Sequence, residues 1–193
     1  MYKTSKENYL NILSFTTEKY YLHESDLEKP SQNNCYIAQN KVLSDLDEIT
    51  KNNVKKEIRS LHSRLEYTLL ESVLLLKDPN SPYWIRYIEP GTYPEPLYPE
   101  TIVVRDGTLS KYLKNLKELS SQIQNSEAKK DFEQATLLLQ EAITEHNIAK
   151  LFEIHKILHD YDYFVFNIPL QLKTAPADWT GVDIYFGKAS ILN

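Results

Sequence analysis

Cysteine and methionine each occur once in this 193-residue chain, and glycine only four times. A lone thiol, Cys35, rules out an intramolecular disulfide and a thiolate zinc site, and reads as a small buried or half-buried hydrophobe. So little glycine leaves no phosphate cradle, since neither GxGxxG nor GxxxxGK[ST] occurs. No serine stands in a GxSxG elbow, so that route to a nucleophile has no support. Long apolar runs are missing too. The N-terminal stretch MYKTSKENYLNILSF never holds the core of about 7 to 15 apolar residues of a signal peptide, and no run approaches the roughly 18 of a membrane span. The expectation is a cytoplasmic protein with no membrane partner. Basic residues are outnumbered, 22 against 27 acidic for a net charge of −5, and they are scattered rather than gathered in a stripe. A nucleic-acid partner is therefore not expected.

What is present fits one globular domain over residues 1–193, with 41% hydrophobic and 25% charged residues at a length that can bury a core. Helical periodicity dominates. Thr4 and Glu7 form a capping-box pattern ahead of Tyr9, Leu10, Ile12 and Leu13, which predicts a first helix. A polar loop over 23–35 precedes a helix over 36–49 with Val42, Leu43, Leu46 and Ile49 on one face. The strongest pattern covers 53–77, where Val54, Ile58, Leu61, Leu65, Leu69, Val73 and Leu76 recur at spacings of three and four. Apolar residues spread around more of its last turns, as in a central helix with neighbours on several sides.

From Pro79 to Pro99 the character changes, because six of the nine prolines and Tyr83, Trp84, Tyr87, Tyr93 and Tyr98 fall there. Proline removes a donor and fixes φ, which argues for an extended excursion over 79–100 with a short strand at 84–88 paired to another at 101–105. Asp106-Gly107 marks a turn. Two antiparallel helices come next, one carrying Leu109, Tyr112, Leu113, Leu116, Leu119 and Ile123, the other Ala128, Phe132, Ala135, Leu139, Ala142 and Ile143, with Asn125 or Ser126 as cap. A further helix over 148–159 gives way to an aromatic stretch at 163–168 that reads as a strand, and a last strand is expected at 182–186. The fold class is thus α+β and mostly helical: about six helices around the long central one, with a small antiparallel sheet.

Three constellations carry chemistry. In EIHKILHDYDYFVFN, His155 and His159 share the arc of Ile148, Leu151, Phe152 and Leu158, so both point toward the core, while Glu153 lies on the other side. Histidines four apart on one face can hold a metal ion, but HKILH lacks the glutamate of HExxH. A third ligand must come from elsewhere, Asp160 and Asp162 being the local candidates, and imidazole with carboxylate suits zinc, iron or manganese. The plain alternative is a helix end closed by two histidines.

In the second, SPYWIRYIEPGTYPEPLYPE, the rings of Tyr83, Trp84, Tyr87, Tyr93 and Tyr98 with Glu89, Glu95 and Glu100 suit a partner-binding surface, or a loop packed back on the core. The third holds Asp178, Trp179, Gly181 and Asp183, which suit a carboxylate pair or a turn before the last strand. Six acids against three lysines between Glu145 and Asp183 favour a basic partner or a cation.

Two functions fit these residues. The first is a non-enzymatic protein-binding module without a cofactor, of the inhibitory or toxin-neutralising (immunity) kind, with another protein as partner. The second is a hydrolase or oxygenase that depends on one divalent transition metal at His155, His159 and Asp160 or Asp162.

Overall fold

A computed structural model describes residues 28–95, 98–167 and 185–193. The expected first helix, Asp178, Trp179, Gly181 and Asp183 lie outside the described residues, as do 182–184 of the expected last strand. Tyr185 and Phe186, at the end of that expected strand, are irregular chain. Among the described residues the architecture is mostly helical α+β with a small two-stranded antiparallel sheet. Among the described residues no helix is long and apolar enough to cross a membrane.

Helix α1 is Gln32–Leu43, started by Ser31, whose side chain accepts from the Asn34 amide at 3.2 Å. The helix expected over 36–49 is divided here. Asp47 accepts from the amides of Ile49 and Thr50, both at 2.9 Å, and so opens a new helix, α2, at Glu48–Leu76. A side-chain acceptor at an N-cap satisfies donors the first turn leaves over, and it places Ile49 in solvent rather than in the core. All seven residues of the predicted stripe on α2, from Val54 to Leu76, are buried.

The proline-rich stretch departs from expectation at its start. Trp84–Ile88 is a helix, α3, not a strand. Pro82 lies just before its first turn, where the missing N–H is no loss and the fixed φ favours helix, and the Ser81 carbonyl accepts from the Trp84 amide. The helix ends at Glu89, extended at φ −107°, ψ 139°, as the residue before Pro90 is driven to be. Strand β1 is instead Pro90–Pro94. It pairs antiparallel with β2, Ile102–Asp106, with Thr92 opposite Val104. The chain then turns through Gly107 at φ 68° into α4, Thr108–Gln122.

Helix α5, Ser126–Glu145, is capped by Asn125, and α6 is Ile148–Asp160. His146 joins them in the left-handed region at φ 51° and stacks its ring on Trp84, centroids 5.2 Å apart. Helix α6 packs between α5 and α2. Beyond it, residues 163–166 of the strand expected at 163–168 lie instead in a π-helical turn, Tyr161–Phe166, and 168 lies outside the described residues. The Asn167 amide donates to the Asp162 carbonyl five residues back at 2.9 Å. The Gln39 side chain donates to the carbonyls of Val165 and Phe166 at 2.8 and 2.9 Å. With those carbonyls satisfied from α1, the aromatic and β-branched run has no need of a sheet partner.

Candidate metal centre

Two pairs of residues four apart face each other across the α2–α6 interface. On α2, His62 continues the apolar stripe, four after Ile58 and three before Leu65, and Glu66 lies one turn later. On α6, His155 and His159 occupy the core-facing arc. All three imidazoles are buried, at 1%, 3% and 0% exposure. Their ring centroids lie 5.0 Å apart for His62 and His155, 5.1 Å for His62 and His159, and 5.9 Å for His155 and His159.

His62, Glu66 and His155 each bring one ligand atom to within 4.8 Å of the others. The orientation of His62 is fixed from behind. Its Nδ1–H donates to Asp162 Oδ2 at 2.9 Å, which leaves the Nε2 lone pair directed away from that carboxylate. Nε2 is buried and has no hydrogen-bond partner among the described residues. The other oxygen of Asp162 accepts from the Asn167 amide side chain at 2.6 Å and faces Arg59 at 3.6 Å, so the buried carboxylate is compensated.

Burial pushes the His62 pKa down from its usual value, although the bond to Asp162 opposes this. Burial, with His62, His159 and Lys156 nearby, holds His155 well below that range. Both therefore stay neutral, the form in which imidazole ligates metals. Burial raises the Glu66 carboxyl, His62 working against it.

The structure thus brings together His62, Glu66 and His155, with His159 beside them and Asp162 behind. Asp160 is not brought in. Its carboxylate is fully buried and accepts from the backbone amides of Phe186, Lys188 and Ala189 at 3.0, 2.7 and 3.4 Å, which ties the C-terminal segment to the end of α6. That segment lays Phe186 edge-on against His159 at 5.0 Å, while Tyr163 lies 4.7 Å from the same ring. Sequence reasoning named His155, His159 and Asp162 but missed His62 and Glu66. The same arc that placed His155 in the core, drawn on α2 through Ile58, Leu65 and Leu69, would have placed His62 there.

The proposed partner surface is rearranged. Trp84 and Tyr87 are buried, and the Trp84 Nε1 donates to the Asp78 carbonyl at 3.2 Å, so both anchor α3 to the helices and offer no contact face. Tyr83 and Tyr93 are half-buried beside the buried Arg86 guanidinium, which lies 5.1 and 5.9 Å from their rings. Glu95 pairs with Arg105 at 3.3 Å. Glu89, Tyr98 and Glu100 remain exposed.

Cys35 is buried, as expected of a lone thiol, and burial raises its pKa. No protein-family model, curated protein or solved structure matches this chain.

Proposed function

We propose that the chain is a metal-dependent enzyme of the hydrolase or oxygenase kind, with one divalent transition-metal ion held by His62, Glu66 and His155. The observation that carries this reading is the buried, partnerless Nε2 of His62, left free by the bond from Nδ1 to Asp162, on a ring that brings a ligand atom within 4.8 Å of those of Glu66 and His155. A buried acceptor left without a partner costs about 1–3 kcal/mol. A ligand that bonds it explains why the fold keeps it. A carboxylate behind the ligating histidine is the usual arrangement that orients such a ring and raises its basicity. The spacing of the rings agrees. Imidazoles sharing one ion at about 2.1 Å hold their centroids about 5 Å apart at tetrahedral angles. Two imidazoles and one carboxylate leave positions on the ion for water or substrate. A lone buried thiol suits a cytoplasmic setting, where cysteines stay reduced.

Metal analysis of untagged protein, followed by titration with ferrous, manganous and zinc ions, tests the reading. About one ion per chain is expected, lost in His62→Ala. Less than about a tenth of an equivalent of every metal, or equal loading of the variant, would overturn it.

A protein-binding role, inhibitory or toxin-neutralising, is the second reading. It rests on the hairpin, where Ile102 and Val104 of β2 are 59% and 81% exposed and Tyr98, in the connection before it, is 60% exposed. Apolar side chains so exposed are common at partner contacts. Substituting all three by serine should abolish recovery of a partner by the purified protein. Undiminished recovery would place any interface elsewhere.

A further inference from the structure

Resting on the metal centre proposed above, we propose that the ion is ferrous iron and that its open face takes dioxygen, with His159 donating a hydrogen bond to the bound molecule.

Three observations carry this. The first is the donor set. Two imidazoles with one carboxylate, on facing helices, is the combination suited to ferrous iron that keeps adjacent coordination positions open.

The second is depth. His62, His155 and His159 are at most 3% exposed. A charged ester or phosphate would have to shed its hydration to reach them, beside the acidic side chains of Glu66 and Asp162. A neutral diatomic sheds almost none.

The third is His159 itself. It is fully buried on the same arc as His155, its ring 5.1 Å from His62. Tyr163 and Phe186 pack on it. Both of its ring nitrogens lack a hydrogen-bond partner among the described residues. A buried imidazole carries at least one N–H, and buried donors are almost always satisfied. A ligand arriving on the neighbouring ion supplies the missing acceptor. The step proposed is binding alone: one iron–oxygen bond forms, and one N–H···O hydrogen bond forms with it.

Nitric oxide is the probe, as a stable stand-in for dioxygen that makes a ferrous centre visible by electron paramagnetic resonance. Untagged protein is loaded with ferrous iron without air, its iron content measured, and nitric oxide added. A half-integer-spin nitrosyl signal in proportion to the iron is expected. His159→Phe should bind iron as the parent does but release nitric oxide about tenfold faster, the effect of one lost hydrogen bond. His159→Gln, which keeps an N–H, should restore most of the difference. Full iron loading with no nitrosyl signal, or zinc loading with no iron, overturns the dioxygen proposal and leaves the metal centre standing. Equal release rates in all three proteins overturn the role of His159. Failure to load any metal overturns the centre, and this proposal with it.

Discussion

His62 and Asp162 lie a hundred residues apart in sequence and share a buried hydrogen bond of 2.9 Å, which ties the middle of the central helix to the π turn beyond α6. The bond does two things at once. It closes the fold across its core, and it decides which nitrogen of His62 is left to bind something else.

Asp162→Asn keeps the shape of the side chain but removes the charge behind His62. Metal affinity should fall about 10- to 100-fold, the usual cost of losing such an outer partner. Competition with a chelator of known affinity measures it, and unchanged affinity would show that Asp162 is structural only.

The metal-free protein should lose stability in mild acid. His62 and His155 have folded-state pKa values below the ordinary 6.5, so the unfolded chain takes up protons that the folded chain refuses. Their contribution is complete above about pH 6.5 and is lost as pH falls from there toward the folded values, at up to about 1.4 kcal/mol per pH unit for each imidazole. Urea midpoints in the presence of a chelator, taken from about pH 7.5 downward, read the slope. A flat profile would contradict the neutral packing of the two rings.

Asp160→Ala should release the C-terminal segment. The substitution leaves the amides of Phe186 and Lys188 without their acceptor, at a cost of about 3 kcal/mol in all. Hydrogen exchange of residues 185–193 should rise well above that of α6. Retained protection there would mean the segment is held by its apolar contacts alone.

Gly107→Ala probes the turn into α4. At φ 68° an added Cβ would lie 3.0 Å from the Ile88 carbonyl oxygen and 3.1 Å from the Pro90 ring, so backbone and proline must both shift. A loss of about 1–3 kcal/mol is expected by thermal or urea unfolding.

The helices were legible because their apolar residues repeat every three or four positions, and the stripe from Val54 to Leu76 lies buried as the spacing predicts. What misled was composition without period. Proline in SPYWIRYI argued against helix, yet Pro82 only precedes the first turn of α3, where proline is favoured. The run YDYFVF has the aromatic and β-branched content of a strand, yet Gln39 from a distant helix takes its carbonyls and it stays coiled. The site divided along the same line. His155 and His159 could be found together because one helix carries both. Joining them to His62 and Glu66 depended on how α2 packs against α6, which no local window contains.

The π turn at Tyr161–Phe166 spends one more residue per turn than an α-helix would. That surplus works as a spacer. It lets the chain take in one residue beyond the α repeat and still close its hydrogen bond, from the Asn167 amide to the Asp162 carbonyl. The residue that closes the turn also holds the Asp162 carboxylate with its side chain, and the last two carbonyls of the turn meet Gln39. One widened turn therefore seats both the brace behind His62 and the seam to α1.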